Sequence, residues 1–375
     1  MILYKKIFHS YNLQMKALYF SIIFIFIITL SCSLSAAECD LTSPLKTFHP
    51  QYATHFSIDY FKNFKIIHVD KDQYLLSNNL DLGCEISMLK ILTPVKKVVM
   101  MSTTYLPALE LLQQEKSLIG FQGKHYIVSP SFRLDQIKEV PFKFNPEYLL
   151  GLKADLVMGY DSNLSTTKQR QILRSLKIPV VINKDFEEKT PLGRAEWLIF
   201  ISSFYDQDTK AMNIFNSIQE SYLALKAKNL KLTPKAKVIV GEIQNGYWVT
   251  CGAASDLGQM IKDAGGELVP KHPSALTQKI SLEELSQIKI IFDVWLTHNM
   301  WASKKELNEA MKKDKRYTLI SAKNIFNNNL IMNINKSNDY WESGLQRPDL
   351  LLLDLSAIFH PEDYKVHKSH WYRKL

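Results

Sequence analysis

Aromatic and polar side chains follow several of the predicted buried strands in this chain of 375 residues. In the first half they are Gln122, Lys124, His125, Tyr126 and Tyr160. In the second half they are Tyr247, Trp248, Trp295, His298 and Trp301. Loops at the carboxyl ends of strands face the ligand in open parallel sheets. Aromatic rings suit a large planar or ring-shaped ligand because each ring offers broad contact area at low entropic cost. The pattern therefore predicts a binding cleft.

The ligand-binding candidates within this set are Tyr126, His125, Tyr160, Tyr247, Trp248 and Trp295, with Tyr126, Trp248 and Trp295 foremost. Each ring has an alternative place in the core or at the rim of the cleft. Arg347 is a further candidate, because a guanidinium group could face an anionic part of the ligand. Arg347-Pro348 is equally typical of a structural corner before a final helix.

No motif of a common catalytic class is present in the sequence. It lacks a Gly-x-Ser-x-Gly elbow, a His-Glu-x-x-His pair and a Gly-rich phosphate loop followed by Lys-Ser/Thr. The spacing of His, Asp and Glu predicts neither a metal site nor a cofactor. A secreted hydrolase with a dispersed catalytic triad stays open, because triad members are neighbours only in space.

Strand and helix patterns alternate along both halves of the chain. β-Branched runs predict strands at 97–102, 117–121, 154–159, 178–182, 236–241 and 288–295. Amphipathic segments predict helices at 105–114, from Asn145, at 166–176, at 255–264 and from Ser281. This alternation predicts an α/β fold of two Rossmann-like lobes, each with a parallel sheet flanked by helices.

Residues 191–230 separate the two lobes and are rich in helix formers. The stretch 193–227 has neither Gly nor Pro after Gly193, so it predicts one interlobe helix roughly 50 Å long. The predicted domains are an N-terminal extension (38–93), a first α/β lobe (94–190), the interlobe helix (191–230) and a second α/β lobe (231–375).

The first 37 residues have the pattern of a signal peptide. Lys5, Lys6 and Lys16 precede an apolar run over 17–30, and small residues at 35–37 suit a cleavage site. Export to the periplasm is therefore expected. An uncleaved membrane anchor is the competing interpretation, and lipidation of Cys32 is less favoured because the preceding residues form a poor lipoprotein box.

Three further cysteines are Cys39, Cys84 and Cys251. Cys39 and Cys84 could form a disulfide, since both lie in the same N-terminal region, or all three could be free thiols. The formal net charge of +9 is dispersed, and no basic arm with interleaved aromatics occurs. No nucleic-acid partner is therefore expected.

Four passages resemble the class III periplasmic substrate-binding proteins, the receptors of ABC importers for cobalamin, ferric siderophores and haem. They are the stretch 191–197, the stretch from Asn145-Pro146-Glu147 to 157, the stretch 339–349 and the stretch 353–362. The resemblance runs from about residue 94 to the C-terminus. It implies a monomeric receptor that captures an iron complex or corrinoid and delivers it to an inner-membrane ABC permease with its ATPase.

In such receptors a Glu on each lobe docks against Arg residues of the permease. The matching positions here are Glu147 and Glu283, and two exposed carboxylates would fix the registry of the receptor on the permease. Glu147 could instead favour only the positive end of its helix, and Glu284 is a rival to Glu283. The resemblance does not choose the ligand. A zinc or manganese receptor of related fold is the alternative receptor class.

Overall fold

A computed structural model describes residues 41–83, 86–143, 145–160 and 167–375. The predicted signal peptide, the lipidation candidate Cys32 and the predicted pair Cys39–Cys84 lie outside these residues. The architecture below belongs to one structural unit made of Ser43–Leu80 and Met88–Leu375. Among the described residues, no helix combines the length and apolar character needed to cross a membrane.

The N-terminal extension forms a five-stranded sheet. Its strands are β1 (Lys46–Phe48), β2 (Phe56–Tyr60), β3 (Lys65–Val69), β4 (Asp72–Ser77) and β5 (Leu89–Leu92), in that order across the sheet. The first four are antiparallel, and β5 pairs parallel to β4. Phe56 packs against Trp197 and Phe200 at ring distances of 5.0 and 5.6 Å. The extension thus shares its core with the helical segment between the lobes.

The first lobe is a parallel sheet with helices on its connections. Its strands are β6 (Val98–Met100), β7 (Leu118–Gln122), β8 (Lys138–Val140), β9 (Leu156–Gly159) and β10 (Val180–Ile182), in the spatial order β10-β9-β6-β7-β8. Its helices are α1 (Leu106–Leu112), α2 (Pro146–Leu152) and α3 (Thr167–Ser175). The side chain of Asn145 accepts a hydrogen bond from Tyr148 N at 2.9 Å, so the predicted cap of α2 is confirmed.

The segment between the lobes was predicted as one helix over 191–230, and this prediction is wrong. The segment contains α4 (Pro191–Ser202) and α5 (Asp208–Asn229). Between them Asp206 adopts a left-handed conformation with φ of 53°. Lys65 of β3 donates to the carbonyl of Ser203 at 3.0 Å and pairs with Asp208 at 2.6 Å. The break occurs because a cation of the extension takes a carbonyl that a continuous helix would use.

The second lobe repeats the parallel sheet and adds a small antiparallel one. The larger sheet has the order β14-β11-β16-β17-β18, from β11 (Ala236–Val240), β14 (Gly266–Leu268), β16 (Phe292–Thr297), β17 (Ala322–Asn327) and the antiparallel β18 (Arg373–Lys374). The smaller sheet is β12 (Glu242–Gln244), β13 (Tyr247–Thr250) and β15 (Gln278–Ser281). The helices are α6 (Asp256–Asp263), α7 (Leu282–Gln287), α8 (Lys304–Lys313) and α9 (Pro348–Phe359).

The helix caps and helix ends predicted for the second lobe are confirmed, whereas one strand boundary differs from the prediction. Ser255 and Ser281 cap α6 and α7 through their hydroxyl groups, and Gly265 with φ of 80° ends the turn after α6. Strand β16 begins at Phe292 rather than at 288, because α7 runs to Gln287 and the next residues are needed to reach the sheet. The predicted alternation of strands and helices is therefore confirmed in both lobes.

Candidate functional site

A cavity of about 380 Å³ opens at the carboxyl ends of β6, β7, β9 and β10 in the first lobe. Its lining is Met101, Ser102, Thr103, Thr104, Tyr105, Phe121, Gln122, Tyr126, Phe142, Tyr160, Asp185 and Phe186. The volume is within the range of small-molecule sites, and the position is the one that parallel sheets use for ligands. We call it the first-lobe pocket.

Two aromatic pairs form walls of the first-lobe pocket. Tyr126 meets Phe142 edge to face at 6.3 Å between ring centroids, and Tyr160 meets Phe186 in the same way at 6.2 Å. Tyr126, Phe142 and Phe186 are 48%, 62% and 47% exposed. Large apolar rings left this exposed beside a cavity mark a surface that contacts another molecule. The pocket therefore offers broad ring faces to a ligand.

A buried acid lies among the polar groups of the same pocket. Asp185 is 2% exposed, and burial raises the pKa of its carboxyl above the ordinary value, although the charge of Arg194 and a hydrogen bond with Thr104 oppose this rise. Tyr105 is also buried, and burial raises the pKa of its phenol. These groups can orient a polar part of a ligand beside the aromatic walls.

A second cavity, of about 460 Å³, lies at the ends of β11 and β16 in the second lobe. Its lining is Val240, Glu242, Gln244, Val249, Thr250, Cys251, Ser255, Asp256, Leu257, Ala275, Thr277, His298, Tyr340, Trp341 and Leu345. Trp341 is 46% exposed and meets the ring of His298 edge to face at 5.6 Å. We call this cavity the second-lobe pocket. It is more polar than the first but again carries an exposed aromatic ring.

Burial favours the uncharged forms of two side chains in the second-lobe pocket, His298 and Cys251. Burial lowers the pKa of His298 to about 4, so its imidazole is neutral at pH 7. Its Nε2 atom is buried and has no hydrogen-bond partner among the described residues. Burial raises the pKa of the free Cys251 thiol to about 11. Neither side chain is therefore an activated nucleophile or a cation at neutral pH.

Arg194 on α4 lies between the two pockets. Its guanidinium forms an ion pair with Asp256 of the second-lobe pocket at 2.9 Å. Its charge also acts on Asp185 of the first-lobe pocket. Arg194 is therefore linked to one acid in the lining of each pocket.

Hydrogen bonds join the two lobes directly. The Glu342 carboxylate, 1% exposed, accepts from the backbone N–H of Val128 at 2.8 Å and of Ser129 at 2.9 Å. Asn333 donates through its amide to the carbonyls of His125 and Ile127, both at 2.9 Å. Burial raises the pKa of Glu342 to about 7, although the two N–H donors oppose this rise. We call these contacts the interlobe bridge.

Tyr126 and Tyr160 are the predicted cleft residues that the structure brings together, because both line the first-lobe pocket. Trp248 and Trp295 do not line either pocket. Both rings are fully buried in a core cluster of the second lobe. Their indole N–H groups donate to the carbonyls of Val240 and Gly241 at 2.9 Å. The prediction that they face the cleft is wrong, because both rings fill the core of the lobe and satisfy their N–H groups there.

Three other candidates lie outside the pocket linings. Tyr247 begins β13 after the two-residue turn Asn245-Gly246, where positive φ angles of 47° and 81° give a hairpin that leaves its ring 47% exposed. His125 packs against Tyr126 at 4.1 Å, and its backbone carbonyl joins the interlobe bridge. Arg347 donates two hydrogen bonds to buried Asp349, at 2.9 and 2.8 Å. This contact agrees with its alternative role as a structural corner before the final helix.

The remaining polar candidates from the sequence divide between the pockets and the scaffold. Gln122 and His298 line the first-lobe and second-lobe pockets respectively. Lys124 instead donates to the carbonyls of Leu134 and Ile137 at 3.1 and 3.2 Å. Trp301 packs beside Trp295 at 5.9 Å in the core cluster.

The docking candidates lie where two helices begin. Glu147 is in the first turn of α2 and Glu283 is in the first turn of α7. Both side chains are exposed, and neither forms an ion pair with a described residue, whereas Glu284 lies 3.9 Å from His272. Each lobe therefore has one exposed carboxylate without an ion pair in the described part of the chain.

Comparison with known proteins matches this architecture. The family model for periplasmic binding proteins covers residues 98–325, more than half of the chain. An uncharacterized lipoprotein from Methanocaldococcus jannaschii is 25% identical over 301 residues, which are 75% of this chain and 69% of that protein. A second uncharacterized protein from that organism is 23% identical over 172 residues, which are 42% of this chain and 51% of that protein.

Two solved structures share the fold. A periplasmic heme-binding protein from Pseudomonas aeruginosa aligns with a TM-score of 0.55 and 16% identity, over 75% of this chain and 98% of that chain. A possible iron-binding, periplasmic solute-binding protein from Staphylococcus epidermidis aligns with a TM-score of 0.53 and 15% identity, over 71% of this chain and 99% of that chain. The chain belongs to the periplasmic binding protein family, in its class III arrangement of two α/β lobes joined by a helical segment.

Proposed function

We propose that this protein is the receptor of an ABC importer and that it binds an iron complex or a corrinoid, meaning a ferric siderophore, haem or cobalamin, between its lobes. The observation that carries the proposal is the set of aromatic rings around the first-lobe pocket. The rings of Tyr126, Phe142 and Phe186 are exposed, and Tyr160 is half-buried. Broad ring faces suit a macrocycle or a catecholate complex.

The solved structures that share this fold support the proposed ligand class. One of the aligned structures is a heme-binding protein and another is a possible iron-binding protein. Their sequence identity to this chain is low, so they support the class of ligand and do not select one member of it. The second-lobe pocket offers the exposed ring of Trp341 and the neutral imidazole of His298 as further contacts.

Binding without turnover is the second part of the proposal. An enzyme nucleophile needs a lowered pKa or an adjacent base. Cys251 has a raised pKa, and the neighbouring pocket imidazole of His298 has a lowered one. The chemistry of the described cleft therefore favours a receptor over a secreted hydrolase.

Delivery to the permease is the third part. Glu147 and Glu283, exposed on separate lobes, would each pair with an Arg of an inner-membrane ABC permease that works with its ATPase. The extracytoplasmic placement of the family agrees with export directed by residues 1–37. One relative is named as a lipoprotein, and this supports lipidation of Cys32 as the alternative to a soluble receptor released by signal-peptide cleavage.

A thermal-shift screen tests the proposed ligand class. The purified protein would be heated with haemin, cobalamin or ferric siderophores of the catecholate and hydroxamate types. A true ligand at 100 times its dissociation constant adds about 2.7 kcal/mol to the free energy of unfolding, which raises the melting midpoint clearly. We expect one of these compounds to raise the melting midpoint and to be recovered chemically unchanged. No shift with any of them would contradict the proposal.

A further inference from the structure

We propose that Asp354, His367 and His370 form a binding site for a divalent transition-metal ion of the zinc class, in the second lobe and outside both pockets. Asp354 lies on α9, and the two histidines lie three residues apart in the C-terminal tail. The sequence predicted no metal site, because the third ligand lies on a separate element. The site is independent of the proposed transport function.

The three ligand atoms form one compact group. His367 Nε2 is 2.7 Å and His370 Nδ1 is 3.1 Å from the same oxygen of Asp354, and all three ligand atoms fall within 4.8 Å of one another. Zinc bonds of roughly 2.0–2.2 Å in tetrahedral geometry place neighbouring ligand atoms about 3.3–3.6 Å apart, slightly farther than these two contacts. Only a small outward movement of the rings would admit the ion.

The carboxylate is held in place from its other side. The second oxygen of Asp354 accepts from Ser369 Oγ at 2.9 Å and from the backbone N–H groups of His370 and Trp371 at 3.0 and 2.9 Å. Such outer contacts orient the side chains that bind the ion directly in metal sites. The oxygen that faces the two imidazoles also accepts from the backbone N–H of His370 at 3.0 Å, so backbone donors hold both oxygens of Asp354.

Charge and access also suit a cation. Asp354 is fully buried, and the ion pairs described for it are both with these histidines. A divalent ion would give this buried carboxyl group a cationic partner. The side chain of His370 is 38% exposed, so an ion and a fourth, water ligand can enter from solvent. Two imidazoles and one carboxylate favour zinc and its neighbours over calcium or magnesium.

The site would fix the tail to the lobe near the interlobe bridge. Trp371, the residue after His370, donates through its indole to Asp339 at 2.8 Å. Asp339 opens the short segment that leads to Glu342. A bound ion would thus stabilise the tail that supports the second-lobe side of the bridge.

Zinc titration of the chelator-treated protein tests the proposal, with cobalt absorption as a second probe. The test variants are His367→Gln and His370→Asn, which retain an N–H donor for Asp354 but remove a good metal ligand. His68→Gln is the matched control, because His68 Nε2 also contacts a carboxylate, that of Asp59, at 2.8 Å, without a second histidine.

We expect the wild-type protein and the His68→Gln control to bind one zinc ion at this site. Each test variant should weaken that binding by at least about tenfold and lose the cobalt d–d bands. Circular dichroism would verify that the variants are folded. Failure of the wild-type protein to bind zinc would overturn the proposal, as would binding that the test variants leave unchanged, because that zinc would lie elsewhere.

Discussion

The carboxylate of Glu342 in the second lobe accepts a hydrogen bond of 2.8 Å from the backbone N–H of Val128 in the first. Ser129 adds a second N–H donor at 2.9 Å, and the amide of Asn333 bonds in the opposite direction to the carbonyl of His125. The lobes are therefore connected at the cleft as well as through α4 and α5. This double connection has consequences for pH dependence and for motion.

Stability should depend on pH through Glu342. Its pKa rises from 4.5 to about 7 in the folded protein, so the folded state binds this proton more tightly than the unfolded state does. The resulting contribution is complete below the unfolded pKa and is lost as pH rises towards 7. Urea denaturation between about pH 5 and pH 8 should show the advantage of wild type over Glu342→Gln shrinking as pH rises. Stability curves that stay parallel would contradict this.

The lobes should move little when ligand binds. Hydrogen bonds of Glu342 and Asn333 join the two lobes, and a large movement of one lobe against the other would have to break them. Small-angle scattering with and without ligand should give radii of gyration that differ by less than about 1 Å. A compaction of several ångströms would show that the bridge does not hold the lobes.

Glu196 should be a major stabilising residue. Its buried carboxylate accepts from the backbone N–H groups of Gln51, Tyr52 and Ala53, each at 2.8 Å, and so joins the N-terminal extension to α4. Glu196→Gln replaces one acceptor with a donor and should cost about 1–3 kcal/mol in the free energy of unfolding. Glu220→Gln, at an exposed position of α5, should change it by less than about 0.5 kcal/mol. Equal effects of the two changes in urea denaturation would refute this role.

Charge reversal at the docking residues should separate delivery from ligand binding. Glu147→Arg and Glu283→Arg should leave ligand affinity unchanged, since neither residue lines a pocket. Both should reduce uptake by proteoliposomes that contain the permease and its ATPase at least about tenfold, because like charges would meet at the interface. Glu309→Arg, at an exposed carboxylate on α8, is the control. Normal uptake by both test variants would exclude these residues from docking.

Local sequence signals predicted the elements well. Asn145, Ser255 and Ser281 cap helices where expected, since a cap depends on residues within one turn. The break between α4 and α5 was not predictable in this way, because it depends on Lys65, which lies 138 residues before Ser203. The two α/β lobes could be predicted from local sequence patterns. The division of the interlobe segment into two helices could not, because it involves a contact between residues far apart in the sequence.

Site residues were harder to predict than elements. Tyr126 and Tyr160 line the first-lobe pocket, whereas Trp248 and Trp295 are in the core, because strand position alone does not show which face of a sheet a ring occupies. Phe142 and Phe186, which the sequence analysis missed, come from connections that follow β8 and β10. Large apolar residues in otherwise polar loops at the ends of strands are the sequence signal that could have identified these two rings.

The most direct test of the proposed function is the stoichiometry and affinity of the ligand identified in the screen, measured by titration calorimetry. Wild-type protein should bind one ligand per chain. Tyr126→Ala combined with Phe186→Ala should weaken binding at least about tenfold, since two ring faces are lost from the pocket. Tyr247→Ala is the matched control, because that ring is 47% exposed but lies outside both pocket linings. Undiminished binding by the double variant, or equal losses in the control, would contradict a cleft built on the first-lobe aromatics.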